Sequence, residues 1–275
     1  MKAIIPIAGA GTRLLPLTFH QPKFFVGVAD KPMIQYAVDE LVRSGVREFV
    51  FVLSPTQTVI KKYIKSLNLG MPVSYVFQPK AMGNAEAVMR GLKKVGKEAV
   101  VLLFQDDVLV SGDLIMRKAI RVSKKFNAPV ILVERVNPNL VSRYGIVKPG
   151  VSVRAIGTGV LESVFEIKDL VEKPKIGEAP SNLAIFGRYI LTPDLFPYIV
   201  SECRKKLARG QKEYQITDAF RNYIANGGRI LGIEFNGTRF DCGSKTGLMK
   251  AHAYFSLLHP DFGQDIRSFV KKHVK

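Results

Sequence analysis

Four apolar runs, at residues 3–7, 48–53, 73–77 and 99–104, alternate with stretches whose apolar residues recur at helical spacing. A run such as Ala99-Val100-Val101-Leu102-Leu103-Phe104 has no polar face, so both of its sides must be covered. Strands of that kind separated by helices imply an α/β fold, a parallel sheet between helical layers. Ligands of such sheets collect beyond the carboxyl ends of the strands, so functional residues are expected directly after each run.

The first run is followed by Ala8-Gly9-Ala10-Gly11-Thr12-Arg13. Two glycines let main chain approach a ligand closely, successive N–H groups in such a turn cradle phosphate oxygens, and Arg13 adds a planar cation. A third glycine near Leu14, as in a dinucleotide fold, and a Gly-Lys-Ser/Thr sequence, as in a Walker loop, are both missing. Lys23 follows Pro22 in the next loop and offers a second phosphate contact. The third run ends at Gln78, whose amide can read the edge of a base, and Gly83 offers a backbone N–H beside it. Taken singly, each is also an ordinary turn residue.

The fourth run stops at Gln105-Asp106-Asp107. Asp106 is expected on the same sheet edge as the glycine turn, where a carboxylate needs partners and magnesium between phosphate oxygens is a natural one. Asp113 reads as the cap of the following helix, which leaves Asp106 available. Asp241, in Arg239-Phe240-Asp241-Cys242-Gly243, is a second carboxylate at a strand-to-loop transition. Two separated carboxylates with Arg13, Lys23 and Lys173 fit metal-assisted phosphoryl or nucleotidyl transfer.

Helices are expected at 33–45, opened by Asp30-Lys31-Pro32, and at 54–66, 85–94, 114–126 and 214–225. Beyond Arg143 the pattern is richer in strands and loops, with segments at 151–153, 163–167 and 169–174 that read as the wall holding a second substrate. A strand at 180–190 returns to the core. The tail, with Ile266, Phe269, Val270 and Val274, reads as an amphipathic helix packing on the body or on a neighbouring subunit.

The 41 Lys and Arg against 23 Asp and Glu leave a net charge of +18, which suits anionic ligands. Because the lysines fall in scattered pairs and no run of five like charges occurs, a solvated basic surface accounts for the excess, and nucleic acid is not the expected partner. Cys203 and Cys242 show no CxxC spacing, so neither a disulfide framework nor a zinc site is indicated, and a cytoplasmic location is the simplest reading. The apolar start contains Pro6 and is stopped by Arg13, unlike a signal peptide, and no segment reaches the ~20 apolar residues of a membrane span.

The collinear set AGAGTRLLPLTFHQPK, DKPMIQY, GNAEAV, VEKPK, APSNLAIFGRY, ITDA and FDCG resembles the bacterial UTP–glucose-1-phosphate uridylyltransferases over about residues 1–255. Glucose-1-phosphate thymidylyltransferases are a near alternative, and non-catalytic subunits on the same fold are another. The resemblance implies a Rossmann-like mixed, mostly parallel sheet flanked by helices with a small sugar-binding subdomain. The expected division is a single domain at 1–259, with a nucleotide part at about 1–135, a sugar part at about 136–240, and a helical tail at 260–275. The implied substrates are UTP and glucose 1-phosphate, the cofactor Mg2+, and the assembly a homo-oligomer, dimer or tetramer, with no membrane partner. By position, Ala8, Gly9 and Gly11 would line the nucleotide, with Gln78 and Gly83 on the uracil. Arg13 and Lys23 would hold the triphosphate, Asp106 and Asp241 the metal, and Lys173 would bridge the reacting phosphates. Tyr144, Gly145, Glu172 and Ile185 would surround the glucose. The uridylyltransferases usually carry an acidic residue after Pro22-Lys23, whereas this chain has Phe24, which bears on nucleotide preference.

Overall fold

The computed structural model describes residues 1–153, 164–211 and 213–274. In chain order the first half forms β1 (Lys2–Pro6), β2 (Gly27–Val28), β3 (Lys31–Pro32), α1 (Met33–Arg43), β4 (Glu48–Leu53), α2 (Val59–Ser66), β5 (Val73–Phe77), α3 (Asn84–Leu92), β6 (Val100–Leu103), β7 (Asp107–Val110), α4 (Ile115–Phe126) and β8 (Val130–Arg135). The second half adds β9 (Gly145–Val153), β10 (Val164–Glu172), β11 (Leu183–Leu191), α5 (Phe196–Ala208), α6 (Ile216–Ala225), β12 (Ile230–Glu234), β13 (Thr238–Asp241), α7 (Lys245–Leu257) and α8 (Gly263–His273).

The main sheet has the order β5-β4-β1-β6-β11-β8-β12-β10-β9. The pairs among β5, β4, β1 and β6 are all parallel, as the unbroken apolar runs require. From β11 outward the sheet is mixed: β11 runs antiparallel to both β6 and β8, and β12 runs parallel to β8. Alternate residues of one strand serve different cores. Ile5, Phe49 and Phe51 pack with Ile34, Val38, Ile60 and Met116 of α1, α2 and α4, while Ile4, Val50 and Val52 pack with Val88, Ile199 and Phe220 of α3, α5 and α6. Each fully buried side chain of this kind contributes about 1.5–3 kcal/mol, which makes the sheet a rigid platform for its loops.

The parallel pairing of β1 with β6 sets the glycine turn and Asp106 side by side at one sheet edge, as expected. The antiparallel β11 brings its first residues to that edge. Between Ile185 and Tyr189 its register against β8 shifts, and this bulge frees Gly187 and Arg188 for contacts with the end of β6. A separate ribbon pairs β13 with β7 so that Asp241 lies opposite Asp107, which carries the second carboxylate to the end of β6.

Several helix starts differ from the sequence reading. Asp30 does not cap α1: its carboxylate lies 3.2 Å from His259 Nε2, and the helix begins at Met33, whose N–H donates to Val26 O. Residues 54–58 form a polar turn in which Ser54 N donates to Gln57 Oε1, so α2 starts at Val59. Asp113 does not cap α4 with its side chain; its carbonyl accepts from Ser111 Oγ and Ile115 N instead. The strands expected at 151–153 and 163–167 are parts of the long pair β9 and β10, and Ser163 lies outside the described residues. The tail is helical; Ile266 and Val270 are half-buried, while Phe269 and Val274 face solvent at 59% and 61% exposure.

Candidate active site

Two adjoining cavities open at the edge where β1, β6 and β11 meet. One of about 240 Å³ is lined by Ala8, Gly9, Lys23, Gln78, Gly83, Asn84, Gln105 and Asp106, among others. The other, of about 310 Å³, takes in Arg13, Asn84, Asp106, Tyr144, Gly145, Glu172, Ile185, Thr217 and Asp241. Asn84, Phe104 and Asp106 line both, so the two form one cleft with a carboxylate at the junction. A cavity of about 510 Å³ beside α1 and α7 is roomier but contains neither the glycine turn nor the carboxylate pair.

Within the cleft, Asp106 Oδ2 lies 2.6 Å from Lys23 Nζ and 3.8 Å from Arg13 Nη2. Burial alone would push the Asp106 carboxyl up, but Lys23, with help from Arg13, holds it below the usual carboxylate range. Asp241 goes the other way: burial, then the negative charges of Asp107 and Asp106, raise it against the pull of Arg13 and Arg239. Its Oδ1 accepts from Gly243 N at 3.0 Å. A Cβ on Gly243 would sit 2.8 Å from Arg13 Nη2, 2.8 Å from Asp106 Oδ2 and 2.9 Å from Asp241 Oδ1. Both proposed metal carboxylates and the arginine thus converge on one point that only glycine leaves open.

That convergence is held from behind by residues the sequence reading passed over. Arg188, 1% exposed, donates to Phe104 O at 2.8 Å, to Asp107 O at 2.6 Å and to Gly187 O at 3.1 Å, and its other N–H groups meet the Glu40 carboxylate at 2.8–3.2 Å. Every guanidinium donor is used, and the main chain on both sides of Gln105-Asp106 is fixed. Asp107 is not free for a ligand. It accepts from Gly187 N at 3.0 Å and pairs with Arg239, which also binds Glu134 and lies over the rings of Tyr144 and Phe186.

The glycines have distinct reasons. Gly11, at φ 69°, lines neither cavity; a Cβ there would come within 2.9 Å of Lys23 Cβ, so this residue lets the turn pack against the lysine's loop. Gly83, at φ 93°, is crowded by Tyr214 main chain, 2.5 Å from its carbonyl oxygen to a would-be Cβ. There Ala85 N donates to Tyr214 O at 2.9 Å and Tyr214 N to Met82 O at 3.0 Å. Asn84 continues the join, giving a hydrogen bond to Gln215 Oε1 and accepting one from Ile216 N. Gln78 is buried, its amide nitrogen donating to Gly83 O at 3.1 Å and Glu86 Oε2 at 2.8 Å, which leaves its oxygen as the available acceptor.

On the other wall, Glu172 Oε2 accepts from Thr217 Oγ1 at 3.1 Å and lies 3.1 Å from the position a Gly145 Cβ would take. Burial raises the Glu172 carboxyl. Tyr144, Gly145 and Ile185 line the same cavity, joined by Arg143 and Thr217. Lys173 lines neither cavity; its Nζ lies 4.0 Å from Glu172 Oε1 and its side chain is half exposed. Its left-handed φ of 48° and its N–H bond to Tyr144 O fix the backbone there. Phe24 is fully buried against Phe25 and belongs to the core beside α1 and α2. Its position is therefore an apolar packing position in this chain.

A family model described as "Nucleotidyl transferase" matches residues 2–256. UTP–glucose-1-phosphate uridylyltransferase of Staphylococcus epidermidis is 31% identical, over 98% of this chain and 97% of the relative. A solved UDP-glucose pyrophosphorylase complexed with UDP-glucose superposes with a TM-score of 0.80 at 33% identity, covering 93% of this chain and 98% of the other. A UTP-bound pyrophosphorylase from Acinetobacter baumannii gives a TM-score of 0.83 at 28% identity, covering 100% and 99%.

Proposed function

The chain belongs to the nucleotidyl transferase family, and from that premise we propose how its cleft transfers a uridylyl group from UTP to glucose 1-phosphate, giving UDP-glucose and pyrophosphate. The observation that carries the residue assignment is the meeting of Arg13, Asp106 and Asp241 around Gly243, where the two cavities join. The smaller cavity takes the nucleotide, its base end at Gln78 and Gly83 and its phosphate end at Ala8, Gly9 and Lys23, with Arg13 meeting the phosphates from the larger cavity. The larger takes the sugar phosphate, with Tyr144, Gly145, Ile185, Glu172 and Thr217 about the glucose.

Two carboxylates without a third protein ligand fit Mg2+, which binds through one or two carboxylates and completes its shell with substrate phosphates and water; among the described residues no group of three ligating side chains gathers. When bound, Mg2+ supplies charge neutralisation between the phosphates. Asp106 and Asp241 would hold it. The protein groups bring two anions together and counter their repulsion. Lys23 and Arg13, resting on Asp106, exchange that carboxylate for oxygens of the triphosphate. A sugar-phosphate oxygen, already ionised, then attacks the α-phosphorus in line; the new P–O bond forms as the bond to the departing pyrophosphate breaks, and no proton moves. Arg13, the most exposed of these cations at 67%, follows the leaving group. Lys173, beside Glu172, meets the sugar phosphate. Glu172, neutralised more readily than an ordinary carboxyl, hydrogen-bonds sugar hydroxyls.

No helix among the described residues is long and apolar enough to cross a membrane. We place the enzyme in the cytoplasm, assign the exposed apolar face of the tail to a homo-oligomer contact, and divide the chain into nucleotide and sugar parts at about residue 135. The deciding assay measures pyrophosphate release from UTP, dTTP, CTP, ATP and GTP with glucose 1-phosphate and Mg2+. UTP turnover that collapses in Asp241→Asn with the fold intact supports the reading. Preference for dTTP moves the assignment to thymidylyl transfer, and near-normal activity of the variant refutes the metal role.

A further inference from the structure

Gln105 has no role in the scheme above, yet its surroundings demand one. It is 5% exposed, and its carboxamide oxygen is wholly buried without a hydrogen-bond partner. Nor does its amide nitrogen make a hydrogen bond to any described residue. Buried amides are almost always paired, so a side chain left in this state inside a cavity is waiting for a ligand group. Gln105 lines the smaller cavity, together with Gln78 and Gly83 at one end and Gly9, Lys23 and Asp106 at the other.

Its place along that cavity identifies the ligand group. Gln105 is the chain neighbour of Asp106, and Arg188 holds the main chain on either side of the two. In the reading of this cavity as the nucleotide site, on which the inference rests, the moiety between the base end and the α-phosphate is the ribose. A carboxamide offers both an acceptor and a donor, and a ribose hydroxyl needs both.

We propose that Gln105 hydrogen-bonds the ribose 2′-hydroxyl and makes the site selective for ribonucleotides. A buried amide built to meet a hydroxyl is left unpaired by the deoxy analogue, so discrimination falls on the 2′-position and not on the base. The contact bears directly on UTP against dTTP, since those two differ at C2′ as well as at C5.

The test compares UTP with 2′-deoxy-UTP, which keeps the base constant. Dissociation constants are measured by calorimetry in the presence of Mg2+, alongside kcat/KM from pyrophosphate release, for the wild-type protein and Gln105→Met. The wild type is expected to favour UTP by about 10- to 100-fold. In Gln105→Met that ratio should fall to within about threefold of unity through weaker UTP binding, with deoxy-UTP nearly unchanged. Gln105→Asn, withdrawn by one methylene, gives an intermediate ratio and serves if the Met variant is unstable. A wild type that does not discriminate, or variants in which both nucleotides weaken equally, overturns the proposal. A binding ratio that collapses in the variant while no nucleotide supports pyrophosphate release overturns the reaction assignment and leaves the ribose contact standing.

Discussion

Replacing Arg188 by Met tests whether the turn bearing Asp106 is held from behind. The substitution removes an ion pair with Glu40, whose side chain is 17% exposed, and strips a donor from the carbonyls of Phe104, Asp107 and Gly187. Losing one partner of a buried pair costs about 3–5 kcal/mol, with the lower end apt here because Glu40 keeps some water. The carbonyls add about 1–3 kcal/mol; Gly187 O contributes least, since it still accepts from Phe104 N at 2.9 Å. The sum, about 4–8 kcal/mol, is a large share of the ~5–15 kcal/mol that stabilises an ordinary domain. Urea unfolding of Arg188→Met, Glu40→Met and the double variant measures it. The double variant should regain about 3 kcal/mol over the sum of the singles, because neither charge is then left alone. It should not regain metal affinity. With the carbonyls beside Asp106 still unheld, the Mg2+ concentration for half-maximal activity should rise about 10- to 100-fold in Arg188→Met and in the double variant alike. Additive singles within ~0.5 kcal/mol, or an unchanged Mg2+ requirement, would refute the positioning argument.

Gly243→Ala should keep the fold and depress turnover, because its methyl would lie within 2.9 Å of both proposed metal carboxylates; circular dichroism with the pyrophosphate assay separates the two effects. Gly83→Ala should instead unfold more easily by about 2–4 kcal/mol, from a left-handed φ and from collision with Tyr214 main chain, as read from thermal denaturation. Lys23→Met changes the acid side of the stability curve. Asp106 titrates below the ordinary value in the folded protein, so it contributes stability that is present above the unfolded pKa of about 3.9 and is lost as pH falls through the lowered value. Without Lys23, burial raises Asp106, and stability in that region should fall, not rise, with increasing pH. Unfolding curves between about pH 2.5 and 6 check the reversal of slope.

What the sequence reveals and conceals follows from how far apart the partners lie along it. The parallel half of the sheet is readable because apolar runs without a polar face have one kind of environment, and the glycine turn and Asp106 then fall on one edge by topology alone. Asp241 is readable as a carboxylate at a strand end, although its delivery by a separate two-stranded ribbon is not. Arg188 and Arg239 carry no local signal: their partners lie at Glu40, Asp107 and Glu134, and only the bulge in β11 and the β7–β13 ribbon bring them together. A carboxylate before a helix has alternatives to capping: Asp30 meets the distant His259, and at Asp113 the main chain closes a tight turn with Ser111 and Ile115. The amphipathic spacing of the tail correctly gives a helix but says nothing of what its apolar face meets.

The join between the loop of residues 82–85 and that of residues 214–216 has a consequence for how such an enzyme can change. Main-chain hydrogen bonds in both directions, with Asn84 anchored on Gln215 and Ile216, join the proposed base end of the cleft to its proposed sugar end. Thr217, one residue further, holds Glu172. On the proposed assignment, a substitution that shifts the sugar-side loop bears on the same backbone that frames the nucleotide side. The two selectivities are mechanically linked, so variants chosen for a new sugar should drift in nucleotide preference as well, and exchanging both loops together is the sounder way to alter either.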